Sequence, residues 1–214
     1  MDILSLIKSR RSVRRFSQKE IPKHIIEKII EAAIWAPSAC DNQGWRFIII
    51  DDDKVKHEIV NKGAASFIRD APLGILVLYN NQTGNIEYKD HIQSAAASIQ
   101  NILLAAHSFN LGGCWICHLP TKAEMRRILK IPHHYDPMAY IALGYYDAEP
   151  KPRPRKHELK DVLSYNRYRF NEKVPSRLGL RLMIKRVLRA CYYRIPFRRH
   201  IKPLVDKLFE KRFD

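Results

Sequence analysis

The nine-residue run Ala71-Pro72-Leu73-Gly74-Ile75-Leu76-Val77-Leu78-Tyr79 carries no charge and no alternation of polar with apolar side chains. Side chains alternate between the two faces of a strand, so a strand of this composition is buried on both sides. It is also far shorter than the roughly 18 apolar residues of a membrane span. The run therefore requires a sheet with a layer of protein over each face. Phe47–Ile50, Cys114–Leu119 and Met138–Gly144 are three more apolar runs, read as further strands.

The covering layers are legible between them. Ile3–Ser9 reads as a short helix. Pro22 opens a second, in which Ile25, Ile26, Ile29, Ile30, Ala33 and Ile34 recur at helical spacing until Pro37 ends it. Asp51–Asp53 offers caps for a helix over Lys54–Lys62. Asp90–Phe109 predicts a long helix with Ile92, Ala95, Ala96, Ile99, Leu103 and Ala106 on one face, its alanines suited to close helix packing; Gly112 and Gly113 break the pattern before the third strand. Thr121 and Glu124 form a capping box ahead of Lys122–Leu129. The Pro-rich stretch Lys151–Arg155 reads as extended, with a short helix over His157–Leu163. Helices alternating with strands predict a mixed sheet covered by helices.

Charge divides the chain. Its 214 residues carry a formal net charge of +16, and the last 50, from Tyr165 to Asp214, hold 15 Lys and Arg against 4 Asp and Glu. The other 164 residues are only mildly basic. The reading is a body over residues 1–164 and a basic helical extension over 165–214. Hydrophobic residues at 46% exclude a disordered chain, and four cysteines exclude a disulfide-stapled miniprotein. The first 16 residues lack the long apolar stretch and small-residue cleavage site of a secretory signal, so the expectation is a cytoplasmic protein with its cysteines as thiols.

Two constellations carry chemistry. Ser9-Arg10-Arg11-Ser12-Val13-Arg14-Arg15-Phe16 sets guanidiniums beside hydroxyls, donors that match a phosphate, although a solvated basic face has the same composition. Trp35-Ala36-Pro37-Ser38-Ala39-Cys40-Asp41-Asn42-Gln43-Gly44-Trp45 is a helix-to-strand loop rich in amide and hydroxyl donors, suited to the edge of a flat heterocycle or simply to joining two elements. Cys114-Trp115-Ile116-Cys117-His118 spells a haem-attachment pattern, but in a strand residues three apart face opposite ways, so neither a haem nor a disulfide is expected there. No second ligand pair accompanies Cys40 and Cys191, so no metal site is expected, and His133-His134 reads as solvated.

These segments, with Leu111-Gly112-Gly113-Cys114-Trp115, Ile131-Pro132, Ile141-Ala142-Leu143-Gly144-Tyr145 and Lys151-Pro152-Arg153-Pro154-Arg155, come in the order found in the nitroreductase-like family of FMN-dependent oxidoreductases, which residues 1–165 resemble. The resemblance implies an α+β fold with a central, mostly antiparallel sheet. It implies a homodimer with FMN at the interface and ping-pong transfer from NADH or NADPH through the flavin to a nitroaromatic, a quinone or another conjugated electrophile. By the same resemblance Arg10, Arg11, Ser12 and Arg14 hold the phosphate and ribityl chain. Pro37, Ser38 and Asn42 lie against the ring, and Gln43 supports that loop. Gly113 lies beside phosphate or ring, and Arg155 with Arg153 gives late basic contacts to the phosphate. Gly44 stands where proline is commoner in the family.

The extension has a pattern of its own. On a helix over Arg177–Tyr192, Leu180, Met183, Ile184, Val187, Leu188 and Cys191 share one face, and Arg181, Lys185, Arg186 and Arg189 the other. A second helix is predicted after Pro203. Packing on the dimer, an anionic membrane surface, and a nucleic acid or acidic protein partner are all compatible with this; no nucleic-acid module accompanies it. The alternative for the whole chain is a non-catalytic protein that binds flavin, polyanion or lipid.

Overall fold

The computed structural model describes residues 2–85, 87–148, 150, 151, 153–170 and, beyond these, 179, 180, 183, 184, 186–188 and 191. The chain divides into two units, Met1–Pro150 and Lys151–Asp214. The first contains α1 (Ile3–Ser9), α2 (Lys23–Ile34), β1 (Trp45–Ile50), α3 (Asp53–Asn61), β2 (Leu73–Asn80), α4 (Asp90–Ser108), β3 (Gly112–Ile116), α5 (Lys122–Leu129) and β4 (Tyr135–Gly144). The second contains α6 (Leu159–Val162). The helix expected after Pro203 lies outside the described residues.

The four strands form one sheet in the order β1-β2-β4-β3, and all three pairings are antiparallel. The fold is α+β, and the mixed sheet read from the alternation of elements gives way to an antiparallel one. Among the described residues the single parallel contact is an isolated bridge between Ser12 and Gly113. As its composition requires, β2 is central and buried from Leu73 to Tyr79. Leu73, Ile75 and Val77 face α2 and α4 together with Ala139, Ile141 and Leu143 of β4. Leu76 and Leu78 face the opposite layer, where Ile59 and Val60 of α3 and Met125 of α5 pack with Tyr140 and Ala142. The sheet is thus sandwiched between two helical layers, which buries both side-chain sets of each inner strand.

Strand ends differ from the sequence reading for local reasons. Strand β2 starts at Leu73, after Pro72, which has no N–H to give to a ladder. Strand β3 begins two residues early because Gly112 and Gly113, read as breakers, pair with Gly144 and Leu143. A side chain on Gly113 would sit 2.9 Å from Leu103 Cδ2, so close packing of α4 on the sheet requires a residue without Cβ. Strand β4 starts three residues early, and its register shifts between Val77 and Leu78, where Leu78 pairs with Pro137 and Val77 with Ala139. That bulge accommodates the proline in the ladder. The capping box of Thr121 and Glu124 forms as read. Ile92 is exposed, because it lies in the first turn of α4, at the end away from the core positions Ile99, Ile102 and Leu103.

Candidate functional site

The arginine segment leaves α1 in extended conformation and runs along the edge of β3. Val13 N–H donates to Gly113 O at 3.1 Å, and Ser17 N–H donates to Tyr145 O at 2.8 Å. Val13 is buried, and this requires Gly112: a Cβ there would fall 2.7 Å from Val13 Cβ and 2.8 Å from Tyr146 Cδ1. With Val13 turned inward, the side chains of Arg10, Ser12 and Arg14 take the opposite side of the extended segment. Burial pushes the Cys114 thiol above its ordinary value, and the positive charges of Arg14 and then Arg10 pull against that shift. Both guanidiniums thus act on one point of β3. Arg11 turns back instead, and its Nη1 donates to Lys8 O at 2.6 Å and to Arg10 O at 2.8 Å, closing the end of α1.

The second constellation is built at the end of α2. Ser38 Oγ accepts from Gln43 N–H at 3.1 Å, and Gln43 Nε2 donates to Asp41 Oδ1 at 2.8 Å. Cys40, Asp41 and Gln43 all have left-handed backbone, with φ of 51°, 52° and 43°. Three non-glycine residues in that region within four positions cost conformational energy, and the surrounding bonds hold them there. Ala39 N–H donates to Ser94 Oγ at 3.0 Å, which fastens the loop to α4. Gly44 is fixed by packing: a Cβ would lie 2.9 Å from Tyr79 Cε1. The loop is therefore tightly packed at Gly44. Trp35 and Asn42 are exposed, Pro37 is exposed and Ser38 is half-buried.

Beside this loop is a cleft of about 90 Å³ whose lining includes Asn42, Gly44, Tyr79, Asn80, Asp90 and His91. The Tyr79 hydroxyl and His91 Nδ1 are buried without hydrogen-bond partners. The sequence reading named Asn42 but missed Tyr79, Asn80, Asp90 and His91. Tyr79 closes an apolar strand, and Asp90 and His91 open a helix, positions with no local signal of a cleft.

The two constellations stand at diagonally opposite corners of the first unit. The loop leads into Trp45, which pairs with Tyr79 at the far end of β2. The arginine segment bridges Gly113, which pairs with Leu143, which pairs with Leu73 at the near end of β2. They also flank opposite sheet edges, β1 and β3. Helix α4 measures the distance: Ser94 holds the loop, and His107 Nε2 lies 2.8 Å from Ser9 Oγ beside Arg10. The thirteen residue steps of helix from Ser94 to His107 span about 20 Å. Among the predicted residues, Arg10, Ser12, Arg14 and Gly113 are brought together, and Pro37, Ser38, Asn42 and Gln43 form a separate group. Arg153 and Arg155 belong to the second unit, where both are exposed.

Cys114 is buried and Cys117 is exposed, and neither is in a disulfide. Among the described residues no group of His, Cys, Asp or Glu is placed to hold a metal ion, and no helix is long and apolar enough to cross a membrane.

Comparison with known proteins gives this arrangement a context. The model of the nitroreductase family matches residues 7–62 and 54–145, which takes in both constellations. A protein of Methanothermobacter thermautotrophicus, designated as of NADH dehydrogenase/NAD(P)H nitroreductase type, is 36% identical over 165 residues, which is 75% of this chain and 84% of the relative. An NADPH-dependent oxidoreductase of Staphylococcus saprophyticus is 27% identical over 189 residues, covering 78% of this chain and 74% of its own. Among solved structures, an FMN-dependent nitroreductase of Clostridium difficile superposes with a TM-score of 0.69 at 27% identity, over 78% of this chain and 100% of its own. The antiparallel sheet, the arginine segment on its edge and the reach of these matches agree, and the chain belongs to the nitroreductase family of oxidoreductases.

Proposed function

We propose that this chain is an FMN-dependent oxidoreductase that takes electrons from NADH or NADPH and passes them to a nitroaromatic, a quinone or another conjugated electrophile. It works as a homodimer in the cytoplasm, with the cofactor between subunits. One observation carries the reading. The donor sets suited to a phosphate and to a flat ring are both present, but in one chain α4 lies on the sheet between them. One ligand molecule cannot touch both across that helix. A second copy related by a two-fold axis sets the loop of one subunit beside the arginine segment of the other and makes two equivalent sites.

The residues fit the cofactor. Arg10, Arg14 and Ser12 Oγ would hold the phosphate, because an FMN phosphate carries about two negative charges and guanidiniums give it paired, charge-assisted hydrogen bonds. Gly113 lets the segment lie close to β3, and Arg153 and Arg155 are further candidate phosphate contacts. Ser38 and Asn42 of the partner subunit would border the ring, with Pro37 stiffening the approach and Gln43 bracing the loop through Asp41. When bound, FMN supplies the redox chemistry that the side chains of this chain lack. The chain's own work is to bind, to orient and to keep the ring between two protein surfaces.

The purified protein is expected to be yellow and to bleach on addition of NADH or NADPH under exclusion of oxygen. A colourless protein that cannot be loaded with FMN would overturn the reading in favour of a non-catalytic binding protein. Subunit sharing is tested by mixing two defective chains, Arg10→Ala/Arg14→Ala and Ser38→Ala/Asn42→Ala. Each alone is expected to lose flavin, and the mixed dimer is expected to regain one of its two sites. Failure of the mixture to regain flavin would place each site within a single chain.

A further inference from the structure

We propose that the segment carrying Leu180, Met183, Ile184, Val187 and Leu188 binds the surface of an anionic phospholipid bilayer, lying along it with these side chains toward the acyl chains. This goes beyond the redox reading and does not depend on it.

Residues 180, 183, 184, 186–188 and 191 are helical, and Met183 N–H donates to Gly179 O at 3.2 Å. Leu180, Met183, Ile184, Val187 and Leu188 recur at i, i+3, i+4, i+7 and i+8, so they share one face. All five are between 49% and 71% exposed. The two longest helices of the body behave differently: α2 buries Ile29 and Ala33, and α4 buries Ile99, Ile102 and Ala106, whereas the seven-residue α1 leaves Ile3, Leu4 and Ile7 exposed. An uncovered aliphatic stripe of this size marks a surface made to be covered.

Charge selects what covers it. Arg186 lies off the stripe and is exposed, and the sequence pattern assigns Arg181, Lys185 and Arg189, which lie outside the described residues, to the other face. The 50 residues from Tyr165 hold 15 Lys and Arg and only 4 acidic residues. A nucleic acid would satisfy the cations and leave the stripe in water. An anionic bilayer takes both, since the aliphatic side chains enter the acyl boundary while the cations stay at the level of the phosphates. The fold does not need this stretch. The family model ends at residue 145, and the Clostridium difficile structure aligns over its whole length with 78% of this chain.

The test uses the full chain and sedimentation with vesicles of phosphatidylcholine alone or of phosphatidylcholine and phosphatidylglycerol in equal parts. The protein is expected to pellet with the anionic vesicles only and to be released by raised salt. Met183→Asp/Val187→Asp is expected to lower the partition about tenfold or more, with melting temperature and oligomeric state unchanged, because the stripe touches lipid and not the protein itself. Lys185→Glu/Arg186→Glu is expected to lower it as well. The proposal falls if the parent stays in the supernatant with anionic vesicles, or if the aspartate variant pellets like the parent. It also falls if that variant melts lower or changes oligomeric state, which would show the stripe packed on protein, or if the parent binds an oligonucleotide in preference to the vesicles. Flavin content and its reduction in solution are read separately, so a failure here is distinguishable from a failure of the redox reading.

Discussion

Val13 lies directly over Gly112, and the close approach of the two backbones docks the arginine segment on the edge of β3. The contact leaves no room for a methyl group, since a Cβ on residue 112 would be 2.7 Å from that of Val13. Gly112→Ala is expected to push the segment outward, cost about 1–3 kcal/mol of stability as overpacking does, and weaken FMN retention more than the loss of stability explains. Thermal melting and flavin titration check it. Unchanged flavin affinity alongside the lower stability would separate Gly112 from the cofactor site.

A charge-assisted hydrogen bond contributes about 1.5–3 kcal/mol, so each guanidinium that touches the phosphate carries about a tenfold to hundredfold share of affinity. Arg10→Ala with Arg155→Ala is expected to weaken FMN binding by at least that factor and leave the fold intact. Arg11→Ala is expected to act differently, because its Nη1 is engaged with Lys8 O and Arg10 O at the end of α1. Its main effect should be on the melting temperature. Equal losses of flavin affinity from Arg10→Ala and Arg11→Ala, measured by fluorescence titration, would show that Arg11 swings to the phosphate.

The sequence pattern made most of this architecture legible, because apolar runs without alternation and helices with one apolar stripe leave few ways to pack. The central position of Leu73–Asn80 and the capping box at Thr121 were readable for that reason. The spacing of arginines in Arg10–Arg14 also raised the expectation of an anion site, and the bridge between Ser12 and Gly113 fixes where that segment lies on the sheet. What sequence spacing does not carry is the order of strands. Nothing local to Arg14 or Asn42 says that their segments flank opposite edges of the sheet, so the expectation of a second subunit came from resemblance alone. The cleft was hidden for a related reason: Tyr79 ends an apolar strand and His91 and Ser94 lie on the first turns of α4, and only packing of α4 against the Asn42 loop brings the three segments together.

Gly44 and Tyr79 form a pair whose coupling can be measured. A methyl group on residue 44 would be 2.9 Å from Tyr79 Cε1, and the Tyr79 hydroxyl is buried without a partner. Gly44→Ala is expected to cost about 1–3 kcal/mol. Tyr79→Phe removes an unsatisfied polar atom and keeps the ring, so it is expected to be neutral or stabilising. Gly44→Ala combined with Tyr79→Leu, which clears the ring edge, is expected to cost less than the sum of the two single changes, since residues in contact are not additive. Additive losses in denaturant titrations would show that the alanine is accommodated elsewhere.

Asp136 ties the start of β4 to α5 and to the end of β2. Its carboxylate accepts from Asn81 Nδ2 at 3.1 Å and from Lys122 and Arg126, and it is nearly buried. Burial acts to raise its pKa, but the hydrogen bonds from Lys122 and Asn81 and the charges of Lys122 and Arg126 more than offset this and hold it below the ordinary carboxylate value. A carboxyl group that ionises more readily in the folded chain than in the unfolded one stabilises the fold above its unfolded pKa, about 4. That contribution fades as pH falls through the lower, folded value. Asp136→Ala takes this acceptor from Lys122 and Arg126, although Arg126 still donates to Tyr135 O and His133 O, and is expected to cost about 1–3 kcal/mol at neutral pH, the range for leaving polar groups without one of their partners. The difference between parent and variant should hold from neutral pH down to about pH 4 and shrink below it. Denaturant unfolding across that range reads it directly, and a difference that stays constant down to the most acidic point at which both proteins fold would show that packing of the side chain, and not its charge, is what Asp136 contributes.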